Sequence, residues 1–465
     1  MDTIWLPRLD SGISVKHQAL KASIRGAIAD GTLPAGARLP PVREVAWKLG
    51  ITAGTVARAY KDLVDATVLA AVVGRGTFVS EPAALPAPEP EMSFLTEAWP
   101  EDEVNLRSAQ VADVGQGAVF HCLLTTLPPP GADHYVSYPT IAADAPLRRE
   151  LAQWFASDSH GQIEAEDMVL TSGAQHGMVV LFQALLHGPR PVILTEELAY
   201  PGFRHAAALV RAPIHGVPFD DDGLLPEALD AACRETGAQV LCTSAETHNP
   251  TTIRTSPERR AAILAIARHY GLQIIDDDCF GLSSDVSPGY RVLGPERSWV
   301  ISSLSKTLSP DLRVGVVITP HGRSGLVRAA AQQQFFGLSR PLVDLVQAAM
   351  TSGEARAIRG RMQVFQDRRL AQTRAVLGPF GVVTRDRVPF AWLRMPRGWR
   401  ASSFMRAAEA HGIRLKAADE FALIDGRAPN AVRLALTGTR SDVRFNAALQ
   451  TLAGLLSAPP HEIDV

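Results

Sequence analysis

Apolar and polar positions along the first part of the chain repeat at helical spacing. In "VKHQALKASIRGAIADGTL", Val15, Leu20, Ile24, Ala27 and Ile28 share one face, which predicts an amphipathic helix. Pro and Gly in "LPAGARLPP" break that pattern. A second, short helix is predicted over "VREVAWKLG", with Gly50 as its C-cap. A third follows in "ITAGTVARAYKDLVDATVL", with Thr52 as its N-cap. The period then changes. "AAVVGRGTFVS" reads as two short strands around a Gly-Arg-Gly turn.

The patterning stops in "SEPAALPAPEPEM", residues 80–92, where four prolines and several acids replace it. Such a segment reads as a semi-rigid, extended linker. Beyond it, apolar runs alternate with helical stretches. "PVILT", "VLCTS", "LQIIDDD" and "SWVISSL" predict strands; "GAQHGMVVLFQALLH", "LPEALDAACRETG" and "SPERRAAILAIARHYG" predict helices. That alternation predicts an α/β domain, a parallel sheet covered by helices. The last hundred residues are more mixed and suit a smaller α+β lobe. The boundaries expected are 13–80 for the first domain, 81–100 for the linker and 101–465 for the second domain. Within the second domain, a large lobe is expected over about 145–345 and a small lobe over about 350–465.

Composition adds exclusions. With 465 residues, two or three domains are expected. The formal net charge of −2 gives no nucleic-acid signal for the whole chain, although a small basic domain can sit beside a larger acidic one. The four cysteines, Cys122, Cys233, Cys242 and Cys279, have no C-x-x-C spacing, so neither a metal site nor a disulfide framework is expected. "MDTIWLPRLDSG" lacks the form of a signal peptide, and no apolar run approaches the roughly 20 residues of a membrane helix. A cytoplasmic protein without membrane contact is the expectation.

Three helices and a hairpin outline an α+β winged helix-turn-helix. Arg38, Arg43, Lys48, Arg58, Lys61 and Arg75 supply positive charge for phosphates. Arg43 opens the second helix, Arg58 lies in the third, and Arg75, next to Gly76, tips the wing. Thr52, Ala53, Gly54 and Thr55 keep the start of the third helix small, so close approach to double-stranded DNA is sterically easy. Charge alone equally fits a helical domain with solvated basic residues. The run "GTLPAGARLPPVREVAWKLGITAGTVARAYKDL…GRGTFVS" resembles the winged helix of the GntR regulator family. It departs from that pattern at Pro41 and at Thr52 to Gly54, where the family usually has Ser and a Ser-Arg-Asn type start.

Five clusters in the second domain carry chemistry. "TSGAQHG" ends a strand and opens a helix, leaving the backbone N–H groups of Ser172, Gly173, Ala174 and Gln175 for a phosphate. "ELAYPG" holds Tyr200, which can stack on an aromatic ligand. "HNPTT" holds Asn249, whose amide can bond a phenolate oxygen. Each of these also reads as an ordinary turn. "IIDDDCF" places Asp277 at the end of an apolar strand, where a carboxylate needs a partner or a cleft. "ISSLSKTLSPDLRVG" gathers Ser303, Ser305, Lys306 and Arg313, an amine with hydroxyls and a guanidinium.

The ordered set resembles the fold-type-I pyridoxal-phosphate aminotransferases. Joined to a GntR winged helix by a Pro-rich linker, it resembles the MocR subfamily over nearly the whole chain. That resemblance implies roles. Lys306 would form the Schiff base with the aldehyde of pyridoxal 5′-phosphate, which requires a neutral amine. Ser303, Ser305, Arg313 and the helix start at Ser172 to Gln175 would hold the phosphate. Asp277 would pair with the pyridine nitrogen, Asn249 with the phenolic oxygen, and Tyr200 with the ring face. In "NAVRLALTG", Arg433 would bind the carboxylate of an amino acid or other amino compound. Without that context Arg433 reads as an edge-strand surface arginine. Cys279 and Phe280 stand where the family often has a tyrosine, "NPTT" replaces "NPTG", and "YPTIAADAPLRREL" lacks the family's usual glycine.

These readings imply a transcription regulator whose aminotransferase-like domain senses pyridoxal phosphate or an amino compound. The alternative is a working aminotransferase in which the first module is secondary; a cofactor-free scaffold is the third reading. By analogy with the family a homodimer is expected.

Overall fold

The structure, a computed structural model, describes residues 5–7, 15–65, 68–72, 76–80, 103–129, 136–280, 287–423, 426–439 and 441–458. The predicted linker over 81–100 and Arg75 lie outside these residues. The chain divides into two compact units, Met1–Ala98 and Trp99–Val465.

In the first unit, α1 (Lys16–Ala29), α2 (Val42–Leu49) and α3 (Ala53–Asp65) precede the antiparallel pair β1 (Leu69–Val72) and β2 (Gly76–Val79). Gly50 ends α2 in the left-handed conformation that lets the chain turn sharply. The Thr52 side chain accepts from the Thr55 N–H at 3.2 Å and so caps α3. Leu20, Ile24, Leu33, Val45, Val56, Ala59, Leu63, Leu69 and Val79 form one buried core. Tyr60 joins it and donates its hydroxyl to the Pro40 carbonyl at 2.9 Å, which satisfies its one buried polar group.

The second unit is built on a seven-stranded sheet. Its strands are β3 (Met168–Thr171), β4 (Ile193–Glu196), β5 (Ile214–Val217), β6 (Val240–Thr243), β7 (Gln273–Asp277), β8 (Ser298–Ser303) and β9 (Gly315–Ile318). Their order is β3-β9-β8-β7-β6-β4-β5, and only β9 runs antiparallel to its neighbours. The central strands are buried on both faces, as a helix-covered parallel sheet requires. The sequence pattern predicted β4, β6, β7 and β8, and a strand ending at "TSGAQHG", which is β3; β5 and β9 are additional. A smaller lobe follows, with the antiparallel sheet β10 (Phe390–Arg394), β11 (Lys416–Ala417) and β12 (Ala431–Ala435), β12 in the middle.

One difference from the expected lobes matters for the site. Residues 104–106 belong with the small lobe. Val104 pairs with Ile413, the Leu106 carbonyl accepts from the Ala435 N–H at 2.7 Å, and both side chains join the small-lobe core. The chain therefore crosses the seam between the lobes before the large lobe begins. Among the described residues no helix is long and apolar enough to cross a membrane.

Candidate active site and nucleic-acid interface

The parallel strands point their C-terminal ends at one cleft, the usual place for a ligand in such a sheet. Ser172 follows β3, Tyr200 follows β4, Asn249 follows β6, Asp277 ends β7, and Lys306 follows β8.

Lys306 is half-buried, and its Nζ donates to the Ala109 carbonyl at 2.5 Å. Burial, then the positive charges of Arg433 and Arg313, bring its pKa down to about 8. Three consecutive aspartates face three different ways. Asp276 accepts the Ala245 N–H at 3.0 Å. Asp278 lies 3.2 Å from the imidazole of His160. Asp277 accepts from the Cys279 thiol and N–H, yet its Oδ1 is shielded from solvent and has no partner among the described residues. Burial pushes Asp277 up to about 6. An orphaned carboxylate oxygen is costly unless a ligand supplies a proton donor.

The start of α4 (Gly173–Leu185) meets Arg313. Gly173 has φ +81°, and a Cβ there would come 2.4 Å from Arg313 Nη2. Arg313 itself sits at φ +48°, a left-handed conformation that arginine adopts at a cost. No carboxylate among the described residues pairs with its guanidinium, which makes a 3.4 Å contact with the Ser172 carbonyl. A free guanidinium above first-turn N–H groups is an anion site. The Ser172 N–H is already used, donating to His176 Nδ1 at 3.0 Å. Gly173, Ala174 and Gln175 keep theirs, and the Gln175 side chain holds the Gly202 carbonyl at 2.8 Å.

Tyr200 lies over the same cleft, where Asp277, Cys279, Arg313 and Arg433 all act on its phenol; burial is the main cause of its raised pKa. Gly202 is needed here, because a Cβ would meet the Tyr200 ring at 2.1 Å. Asn249 and Arg433 are joined: Arg433 Nη1 donates to Asn249 Oδ1 at 2.8 Å, and Nη2 to the Arg107 carbonyl at 2.7 Å. Arg433 sits in the middle strand and is 5% exposed, so the edge-strand alternative does not hold. Burial lowers its pKa to about 10.

The hydroxyls divide. Ser303 Oγ donates to Cys279 Sγ at 3.9 Å, and Ser305 Oγ is buried without a partner. Phe280 turns away to pack edge-on against Phe390, ring centroids 5.3 Å apart, so Cys279 is the residue that faces Asp277. Thr252 keeps φ +69° where the family pattern has glycine. The sequence reading missed Ala109 and Arg107, which act through backbone carbonyls and leave no side-chain signal. It left Cys279 undecided, although strand alternation puts residues 277 and 279 on one face.

In the first unit, Arg43 and Arg58 are exposed on α2 and α3, with Thr52 exposed and Thr55 half-buried at the start of α3. Arg38 packs against Gly76, whose added Cβ would lie 3.1 Å from Arg38 Nε.

A sheet of this order, with lysine, aspartate and arginine at its strand ends, defines a fold-type-I pyridoxal-phosphate-dependent transferase fold. The chain belongs to the class I and II aminotransferase family, whose model matches residues 111–448. Residues 16–79 match the gntR family of bacterial regulatory proteins, and the combination is that of the MocR subfamily. The chain is 23% identical over 453 residues to the uncharacterised HTH-type transcriptional regulator YdeF of Bacillus subtilis, covering 97% of this chain and 96% of that one. It is 29% identical over 410 residues to the vitamin B6 salvage pathway transcriptional repressor PtsJ of Salmonella typhimurium, covering 84% and 90%. An archaeal alanine:glyoxylate aminotransferase shares the fold, with a TM-score of 0.67 and 23% identity over 76% of this chain and 91% of its own.

The residues present fit pyridoxal 5′-phosphate. The orphaned Asp277 Oδ1 suits a protonated ring nitrogen, the Gly173–Arg313 cradle suits a phosphate, and the depressed Lys306 amine suits an aldehyde.

Proposed function

We propose that this chain is a DNA-binding transcription regulator whose aminotransferase-like domain takes pyridoxal 5′-phosphate and responds to it or to an amino compound. The observation that carries this reading is the pairing, in one chain, of a GntR winged helix with a cleft holding Lys306, Asp277 and Arg313. PtsJ, a repressor of vitamin B6 salvage, supports it by likeness.

When bound, pyridoxal 5′-phosphate supplies an electrophilic aldehyde on an electron-withdrawing ring. Lys306, with a pKa near 8, holds a useful neutral fraction at neutral pH and would hold the cofactor by that aldehyde through Nζ. Asp277 is ionised above about pH 6 and would accept the ring N–H. Arg313 and the N–H groups of Gly173 to Gln175 would bind the phosphate, with Ser303 and Ser305 as hydroxyl donors nearby. Arg433 fixes Asn249 through its oxygen, which leaves the Asn249 amide N–H₂ for the phenolic oxygen. Tyr200 would cover the ring, and Arg433 would hold the carboxylate of the amino compound. A ligand that draws on Arg433 thereby pulls on Asn249, and so links the two lobes. Such a link shifts DNA binding only if the ligand binds two states differently.

DNA is the partner of the first unit, through Arg38, Arg43, Thr52, Thr55, Arg58 and Gly76, with Arg75 assigned on sequence alone. A DNA partner supports a cytoplasmic location. A homodimer suits paired half-sites. Exposed Tyr138 and Phe336, at 78% and 63%, pack together with ring centroids 5.2 Å apart, an apolar pair that supports it. A monomeric mass on sizing at working concentration would remove the dimer.

The retained lysine, aspartate and arginine also favour a working aminotransferase. A panel of amino acids separates the readings: conversion to oxo acids at a useful rate supports the enzyme. Ligand binding without conversion, together with a shift of the protein's own upstream DNA, supports the regulator.

A further inference from the structure

Beside Arg433 stands a second cation that the cofactor site does not use. Lys416 on β11 is the direct antiparallel partner of Arg433 on β12. Directly opposed residues share a face of the sheet, with Cβ atoms about 5 Å apart, and like charges so placed repel. Both cations lie over one ring: Lys416 Nζ is 4.8 Å and Arg433 Cζ 4.9 Å from the Phe421 centroid. Lys416 is half-buried, with its amine resting against that ring.

The neighbouring charges do not balance this pair. Glu420 is held by Arg107 through two hydrogen bonds, at 3.1 and 2.5 Å. Arg204 is turned to the Ala422 and Glu420 carbonyls, at 2.7 and 3.3 Å. Among the described residues no carboxylate lies within ion-pair distance of Lys416 or Arg433. Arg433 Nε is buried without a partner. Four cations thus surround one carboxylate that is already engaged. Burial first, then Arg433, brings the Lys416 pKa down to about 8, as uncompensated positive charge requires.

We propose that Lys416 and Arg433 form a two-cation clamp, and that the amino compound this chain takes is an acidic amino acid carrying a second anionic group beside its α-carboxylate. This rests on the reading of Arg433 as the carboxylate-binding residue and deepens it. One carboxylate satisfies Arg433 and leaves Lys416 facing it unpaired; a second acid group satisfies both.

The test is calorimetric titration of the full-length, pyridoxal-phosphate-loaded protein with acid and amide pairs of the same shape. The probes are L-aspartate against L-asparagine and L-glutamate against L-glutamine, with O-phospho-L-serine against L-serine to separate phosphate from carboxylate as the second group. At least one acid is expected to bind tenfold or more tighter than its neutral partner. Lys416→Gln is expected to bring that ratio close to one, and Lys416→Arg to keep it, which also shows that the fold survives. Equal binding of acid and neutral partner, or a ratio indifferent to Lys416→Gln, overturns the clamp while leaving the amino-compound reading in place. Binding of no member of any pair overturns that reading and the clamp with it.

Discussion

Arg433 donates to the side-chain oxygen of Asn249 at 2.8 Å, across the seam between the two lobes. One residue belongs to the middle strand of the small-lobe sheet, the other to the loop after β6. The bond ties the group assigned to the amino compound to the group assigned to the cofactor. Asn249→Ala removes the acceptor from a buried guanidinium, which costs about 1–3 kcal/mol. Chemical denaturation is expected to register that loss, and the affinity for any amino compound is expected to fall with it. A variant as stable as the parent would detach Asn249 from Arg433.

Lys306 gives a pH dependence. Its pKa of about 8 lies below the ordinary lysine range, so between those values the unfolded chain binds more protons than the folded one. Stability of the cofactor-free protein should therefore rise with pH above about 8, through this group. Capture of pyridoxal phosphate should accelerate as pH rises through about 8 and level off once the amine is neutral. Stopped-flow mixing across pH, with Lys306→Ala as control, measures it. Borohydride treatment followed by mass analysis is expected to fix the ligand on the parent and not on Lys306→Ala.

The phosphate cradle depends on bare backbone. Gly173→Ala puts a methyl 2.4 Å from Arg313 Nη2 at φ +81°. Arg313→Ala removes a charge-assisted contact worth about 1.5–3 kcal/mol, roughly 10- to 100-fold in affinity. Both variants are expected to weaken pyridoxal phosphate more than pyridoxal without its phosphate. Equal losses for the two ligands would place the phosphate elsewhere.

On the DNA side, Arg58 is exposed on α3. If it meets a phosphate, Arg58→Ala should weaken binding across sequences and reduce the slope of log K against log salt by about one. A loss confined to one base position would instead make Arg58 a reader of sequence.

The legible parts of the molecule were those with local signals. Helical spacing and the caps at Gly50 and Thr52 defined the first unit, since both depend on residues a few positions apart. Strands β4, β6, β7 and β8 stood out as apolar runs. "IHGV" in β5 did not, because glycine and histidine interrupt it, and β9 follows directly on a polar loop. Lys306, Asp277 and Arg313 were legible as side chains with chemistry. Their partners were less so. Ala109 binds Lys306 through a carbonyl that any residue supplies, and it lies 197 positions away. Lys416 meets Arg433 through sheet register, which no local pattern in "RLKAADEF" announces. Cys279 needed only the alternation of the strand end to be separated from Phe280.

The central claim is that the cofactor site and the winged helix act as one regulator. Binding of the full-length protein to DNA from upstream of its own gene, with and without pyridoxal phosphate at fixed salt, tests it most directly. Specific binding is expected, with an affinity or footprint that changes with the cofactor or with an added amino compound, and Lys306→Ala is expected to lose this response. Absence of specific binding to that DNA, with pyridoxal phosphate still captured by Lys306, would contradict it and leave an aminotransferase.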